Sequence, residues 1–187
     1  AQSYTDQGFL DNECKTVLAD GWLFIGFVHE FLKSGDAVPV TIAGKPILLI
    51  RNAKDEILAF HNVCSHRCLK LVNEKKNVGK VIKCPYHLWT YDLDGACTGI
   101  SKPDGYTAVK LDRDQLGLIP VRCDSIAGLV FVCLSQSTEP VEDYVGPIIE
   151  PVLEPLAAAP LKVFHYNKAD LAANWKLWQD NNSERYH

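Results

Sequence analysis

The 187-residue chain has no methionine, even at position 1, which reads as a processed or chosen start. It has no run approaching eighteen apolar residues, and no basic start leads into an apolar stretch. Neither a membrane span nor a secretory signal is therefore expected. Positive charge is not in excess: 19 Lys and Arg stand against 23 Asp and Glu, a net charge of −4. Nucleic acid is an unexpected partner, because its binding needs clustered cations that displace counterions from phosphates. No internal repeat or low-complexity segment is visible. With 47% hydrophobic and 22% charged residues the chain is ordinary globular material. Its length allows one domain, or one domain and part of a second.

Cysteine is not scarce. Seven are present: Cys14, Cys64, Cys68, Cys84, Cys97, Cys123 and Cys133. An odd number without a secretion signal reads as cytoplasmic, where thiols stay reduced and Cys/His clusters more often bind metal than form disulfides. Cys14, Cys97, Cys123 and Cys133 have no ligand-like neighbour and read as small buried hydrophobes. His29, His61 and His165 are isolated and read as surface or satisfied histidines.

Texture divides the chain into three. Residues 1–20 place Phe9, Leu10, Cys14, Val17 and Leu18 as on a short amphipathic helix ending near Asp20-Gly21. From residue 21 to 139, short β-prone runs recur: Trp22–Phe27, Val38–Ile42, Ile47–Arg51, Ile57–Phe60, Val81–Lys83, Leu118–Cys123 and Leu129–Cys133. Turn chemistry such as Ala43-Gly44-Lys45 and Asp124-Ser125 separates them, which predicts a mainly β, antiparallel sandwich or barrel-like domain. Residues 140–187 open with Pro140, Pro147, Pro151, Pro155 and Pro160, a connector expected to hold only short helical turns. A strand over Val163–Leu171 and a helix from Asn174 to His187 are expected after it.

The chemistry-bearing residues concentrate in two short stretches. Cys64-Ser65-His66-Arg67 is a C-x-H unit after one predicted strand; Cys84-Pro85-Tyr86-His87 is a C-x-x-H unit after another. Seventeen residues separate His66 from Cys84. Two thiolates and two imidazoles suit either tetrahedral zinc or an iron–sulfur cluster. The order, Cys-His twice, differs from a zinc finger's Cys pair followed by a His pair. Facing loops that each offer one Cys and one His can give thiolates to one iron and imidazoles to the other, the Rieske [2Fe–2S] arrangement.

These stretches carry a family resemblance. His61-Asn62-Val63-Cys64-Ser65-His66-Arg67 and Cys84-Pro85-Tyr86-His87-Leu88-Trp89-Thr90-Tyr91-Asp92-Leu93-Asp94-Gly95 resemble the cluster loops of Rieske non-haem iron oxygenases. The large (α) subunit of aromatic-ring-hydroxylating enzymes is the nearest resemblance. It implies a Rieske β-sandwich flanked by helical segments and followed by the start of an α+β catalytic domain. It makes Cys64, His66, Cys84 and His87 the cluster ligands, Trp89 a cover for the cluster and Tyr86 a hydrogen-bonding neighbour of a sulfur. The family usually has glycine where Cys68 and Leu88 stand. The respiratory-chain loop disulfide would need cysteines at Leu69 and Tyr86, so Cys68 reads as a structural thiol.

Asn174-Trp175-Lys176-Leu177, Asp180-Asn181 and Glu184-Arg185-Tyr186-His187 resemble the beginning of the family's catalytic domain. By that resemblance Glu184 bridges electron flow from a neighbour's cluster, and His187 is the first ligand of a mononuclear Fe(II). On a continuing helix the two would share a face. Aspartate is the commoner bridge. The rest of a two-histidine, one-carboxylate site has no source in this sequence.

The implied protein takes electrons from a ferredoxin or reductase. It passes them to iron for O₂-dependent hydroxylation of an organic, expectedly aromatic, substrate. It assembles as a trimer of α subunits, with or without a β subunit. The alternatives are a free-standing Rieske ferredoxin, which would end near Cys133, and a zinc-bearing binding domain. On the leading reading the sequence is part of a protein about twice as long or more.

Overall fold

The computed structural model describes residues 2–106, 111–146, 149–159, 161–167 and 169–184. Among the described residues, ten strands carry the fold. β1 (Leu23–Phe27), β2 (Asp36–Ile42), β3 (Lys45–Arg51), β4 (Ile57–His61), β5 (Lys76–Asn77), β9 (Pro120–Ile126) and β10 (Leu129–Cys133) form an antiparallel sheet in the order β1-β10-β9-β4-β3-β2-β5. β6 (Ile82–Lys83), β7 (Thr90–Tyr91) and β8 (Cys97–Gly99) form a second, three-stranded sheet.

The run Ile47–Ile50 explains how the layers meet. Successive side chains on a strand point to opposite faces. Leu48 and Ile50 therefore enter one core with Phe60, Tyr91, Trp89 and the thiols of Cys64 and Cys84. Ile47 and Leu49 enter another with Ala59, Val121, Val130 and Val132. All four are buried, so β3 is apolar on both faces and forms the middle layer. The long sheet folds over to enclose the second core, and the small sheet closes the first.

Hairpins follow from paired left-handed residues. Ala43 and Gly44 at φ +47° and +74° join β2 to β3, and Ala127 and Gly128 at +53° and +81° join β9 to β10. Such pairs match the twist of flanking strands. The second turn lies at Ala127-Gly128 rather than the expected Asp124-Ser125. β9 runs on to Ile126 because Asp124 and Ser125 pair with Phe131 and Val130.

Helices flank this domain. The N-terminal segment is three short helices, α1 (Gln2–Thr5), α2 (Gln7–Lys15) and α3 (Val17–Asp20), rather than one. Asp6 starts α2 by accepting the Phe9 N–H at 2.8 Å. The proline-rich connector holds α4 (Val141–Val145) and a nine-residue α5 (Glu150–Ala158), longer than the turns expected, with Pro155 inside it. Arg122 fixes the connector's start: its guanidinium donates to the carbonyls of Ser135, Thr138 and Glu139 and lies 4.8 Å over the Trp22 ring.

Two expectations for the C-terminal region fail. Described residues of 163–171 form no strand, for they pair with no neighbouring strand. α6 (Trp175–Ser183) begins as expected, with the Asn174 side chain accepting from the Lys176 N–H, but ends before Glu184. Glu184 is extended at φ −81° and ψ 135°. Glu184 therefore lies beyond the end of α6, and the expectation that it shares a helix face with His187 falls on a residue outside the described ones.

α6 is anchored to the N-terminal helices. Lys176 Nζ lies 2.7 and 2.8 Å from the two Glu13 carboxylate oxygens, and the Trp175 indole N–H donates to Glu13 at 3.2 Å. The Tyr4 hydroxyl donates to Asp180 at 2.6 Å. Among the described residues, no helix is long and apolar enough to cross a membrane.

Candidate metal centre

Two loops of near-identical backbone design present the predicted donors. In the first, the Cys64 N–H donates to the Leu69 carbonyl at 2.8 Å, and the Cys64 carbonyl accepts from the Cys68 N–H at 2.8 Å. In the second, the Cys84 N–H donates to the Trp89 carbonyl at 2.8 Å, and the Cys84 carbonyl accepts from Leu88 at 3.1 Å. Each loop thus turns back on itself around its cysteine.

The residue that closes each turn is left-handed: Cys68 at φ +54° and Leu88 at +61°. These are the two positions named above for their departure from glycine. The backbone keeps a glycine conformation although the side chain is larger, at a cost of roughly 1–2 kcal/mol each. Cys68 is exposed rather than packed as a structural thiol, and all seven cysteines are free.

The loops bring the donors together by type. The thiols of Cys64 and Cys84 are buried neighbours, and the rings of His66 and His87 meet edge to face with centroids 4.6 Å apart. Among the described residues, no group of three or more His, Cys, Asp or Glu side chains is placed to hold one metal ion. Pairing thiol with thiol and imidazole with imidazole suits a centre with two metal atoms of unlike ligation.

Burial and hydrogen bonds prepare these groups to bind. His66 Nδ1 is buried and makes no hydrogen bond, a cost the fold accepts only if something else takes the lone pair. Burial, then His87 and Arg67, lower the His66 pKa, which keeps the ring neutral as a metal ligand must be. Burial raises the Cys64 thiol pKa, so metal binding there would release a proton. These features fit a [2Fe–2S] cluster held by two thiolates and two imidazoles.

Several supporting residues are not evident from spacing alone. Tyr91, fully buried on β7, places its hydroxyl 3.1 Å from Cys64 Sγ and accepts the Ser65 N–H at 3.1 Å. Tyr91, not Tyr86, therefore stands at a sulfur; its own pKa is pushed up by burial and by Cys64. Tyr86 is exposed instead, with its ring 3.8 Å from that of His87. Trp89 takes the covering position, stacked on His66 at 4.8 Å and 5°. Buried Asn62 donates to the Val72 carbonyl and accepts from Leu71 and Val72 at 2.7, 3.2 and 3.0 Å, pinning the chain that returns from the first loop. Asn62 lies within the recognised motif, but nothing in its spacing reveals its partners.

The Rieske [2Fe-2S] domain family matches residues 21–113, the span that carries both loops. The chain is 32% identical to the α subunit of 2-aminobenzenesulfonate 2,3-dioxygenase of Alcaligenes sp over 185 residues, 98% of this chain and 47% of that one. It is 34% identical to the oxygenase subunit of carnitine monooxygenase of Escherichia coli K12 over 191 residues, 100% of this chain and 50% of the relative. It therefore spans about half the length of the curated relatives it matches. Among solved structures, a quaternary ammonium Rieske monooxygenase bound to L-carnitine superposes with a TM-score of 0.87 at 28% identity, over 100% of this chain and 53% of the other. Naphthalene 1,2-dioxygenase with bound indole superposes with a TM-score of 0.72 at 30% identity, covering 79% and 34%. The similarity extends well past Cys133, where a free-standing ferredoxin would stop.

Proposed function

The chain belongs to the Rieske oxygenase α-subunit family, as the N-terminal portion that carries the [2Fe–2S] domain, and from that premise we propose that Cys64, His66, Cys84 and His87 hold the cluster. The observation that carries this is the pair of matched loops, with buried free thiols on one side and the unpartnered His66 Nδ1 on the other. When bound, the cluster supplies one-electron transfer at a potential raised by neutral imidazoles in place of two thiolates. The chain's own residues do the rest. Tyr91 hydrogen-bonds at Cys64, Trp89 and Tyr91 close the interior side to water, and His66 and His87 are both half-buried.

In the complete protein, residues 1–20 are an N-terminal helical segment, residues 21–139 the electron-transfer domain, and residues 140–187 a connector and the start of the catalytic domain. Glu184 is the bridging carboxylate and His187 the first ligand of a mononuclear Fe(II). A ferredoxin or reductase supplies electrons, and O₂ oxidises an organic substrate by hydroxylation. α subunits close head to tail in a ring of three, a heterologous arrangement in which one subunit's cluster can face the next subunit's iron. The relatives named above act on an aromatic sulfonate and on carnitine, so an aromatic substrate is one of at least two classes consistent with the family.

The test is single turnover of the full-length protein. Reduced anaerobically and then given O₂ and substrate, it oxidises its cluster and releases hydroxylated product; Glu184→Gln retains a reducible cluster but reoxidises far more slowly. Equal reoxidation in the variant removes Glu184 from the path. A reduced protein that never responds to O₂ with any substrate supports the electron-carrier alternative.

A further inference from the structure

The two imidazoles are held in unlike ways. His66, half-buried like His87, stacks its ring on buried Trp89, meets the His87 edge, and has the Tyr106 hydroxyl 3.2 Å from Nε2. Tyr106 is itself seated against Trp89, ring centroids 6.3 Å apart at 71°, at the end of the tight helical turn Pro103–Tyr106. His87 contacts the exposed Tyr86 ring and the His66 edge, and its nitrogens have no hydrogen-bond partner among the described residues.

A neutral imidazole has one N–H and one lone pair, and the partner of one nitrogen decides which is which. At His66 the phenol oxygen stands at Nε2, while Nδ1 is buried with nothing to donate to. The proton therefore belongs on Nε2, where it donates to Tyr106, and the lone pair on Nδ1.

We infer that Tyr106 is a positioning residue for His66: by accepting the Nε2–H it fixes the tautomer and ring orientation that commit Nδ1 to the metal. This rests on the cluster reading above. It makes His66 the locked ligand, tied within its own chain, and leaves His87 without a hydrogen-bond partner among the described residues. A metal-bound imidazole that donates its remote N–H becomes a more basic ligand. More basic ligation stabilises the oxidised centre, so Tyr106 holds the reduction potential down.

The test uses the full-length, cluster-loaded protein with Tyr106→Phe, which keeps the ring against Trp89 and removes only the oxygen. The expected result is a retained rhombic EPR signal with altered g-values and a reduction potential above wild type. Tyr86→Phe, whose hydroxyl makes no hydrogen bond among the described residues, is expected to leave the potential at the wild-type value. An unchanged potential in Tyr106→Phe, or equal shifts in both variants, overturns the inference. If Tyr106→Phe does not hold the cluster, Tyr106→Gln decides, since it restores an oxygen acceptor without the ring. A loaded Gln variant at wild-type potential supports the assignment, and loss in both variants, or a potential in Gln that departs from wild type, overturns it. A wild-type protein without the rhombic signal fails the cluster reading itself, and the inference with it.

Discussion

Replacing Tyr91 by phenylalanine separates hydrogen bonding from packing at the centre of the site. The ring is fully buried between the small sheet and β3, and Phe keeps its contacts. Two interactions end: the 3.1 Å contact with Cys64 Sγ and the 3.1 Å bond from the Ser65 N–H. The Ser65 donor then lacks this partner; Ser65 is exposed, so water can replace the bond and its loss costs about 0.5–1.5 kcal/mol, the net worth of a hydrogen bond. Unfolding in urea should show a loss of about 1 kcal/mol with the slope unchanged. With the cluster bound, the phenol O–H donates to a thiolate sulfur. A hydrogen bond to a charged group is worth about 1.5–3 kcal/mol and strengthens as the sulfur becomes more negative on reduction. If about 1 kcal/mol of that is gained only in the reduced state, its loss lowers the potential by roughly 40 mV, since tenfold is about 59 mV for one electron and about 1.4 kcal/mol. Protein-film voltammetry of wild type and Tyr91→Phe measures the difference. An unchanged or higher potential would refute the assignment of Tyr91 as donor to the ligand sulfur.

Four further outcomes follow from the same structure. Leu88→Gly, at φ +61°, should stabilise the second loop by about 1 kcal/mol in urea, because glycine adopts this conformation freely; destabilisation would show that Leu88 is held by its side chain. Gly95→Ala should cost more than 2 kcal/mol, about 1–2 from the left-handed backbone and the rest from a Cβ placed 2.5 Å from Phe60 Cε1; a melting temperature equal to wild type contradicts this. Lys176→Met removes the cation from the Glu13 carboxylate, whose side chain is 10% exposed and keeps the Trp175 indole N–H as its donor. Breaking a dry pair costs about 3–5 kcal/mol and partial exposure brings it to roughly 2–3, which a Glu13→Gln, Lys176→Met cycle should return in part. Burial pushes the Cys123 thiol up to about 12 from an ordinary 9.0. The unfolded chain then loses that proton first, so the contribution is present below pH 9 and lost as pH rises towards 12; Cys123→Ala should flatten that part of the stability–pH curve.

How much the sequence disclosed depended on the range of the interaction. Strands β1 to β4 and β10 lie within two residues of their expected positions, because β-prone runs and turn residues are local signals. The four donors were visible because short spacing places Cys64 with His66 and Cys84 with His87. What completes the site was not local. Tyr91 meets Cys64 across 27 positions, Tyr106 meets His66 across 40, and Glu13 meets Lys176 across 163. No periodicity records such pairs. The failed expectations have a related cause. The described β-prone residues in 163–171 make no strand without a neighbour to pair with, and α6 stops at Ser183 although its polar run continues. Proline ordinarily breaks a helix, yet α5 carries Pro155 in its later half.

The central claim is that two Cys-x-His-type loops hold an unevenly ligated two-iron cluster. Metal and acid-labile sulfide analysis of the purified protein, joined to EPR after dithionite reduction, tests it most directly. The account predicts two irons and two sulfides per chain and a rhombic signal that His66→Cys alters and Cys64→Ser abolishes. Zinc without sulfide, and no signal on reduction, would contradict it.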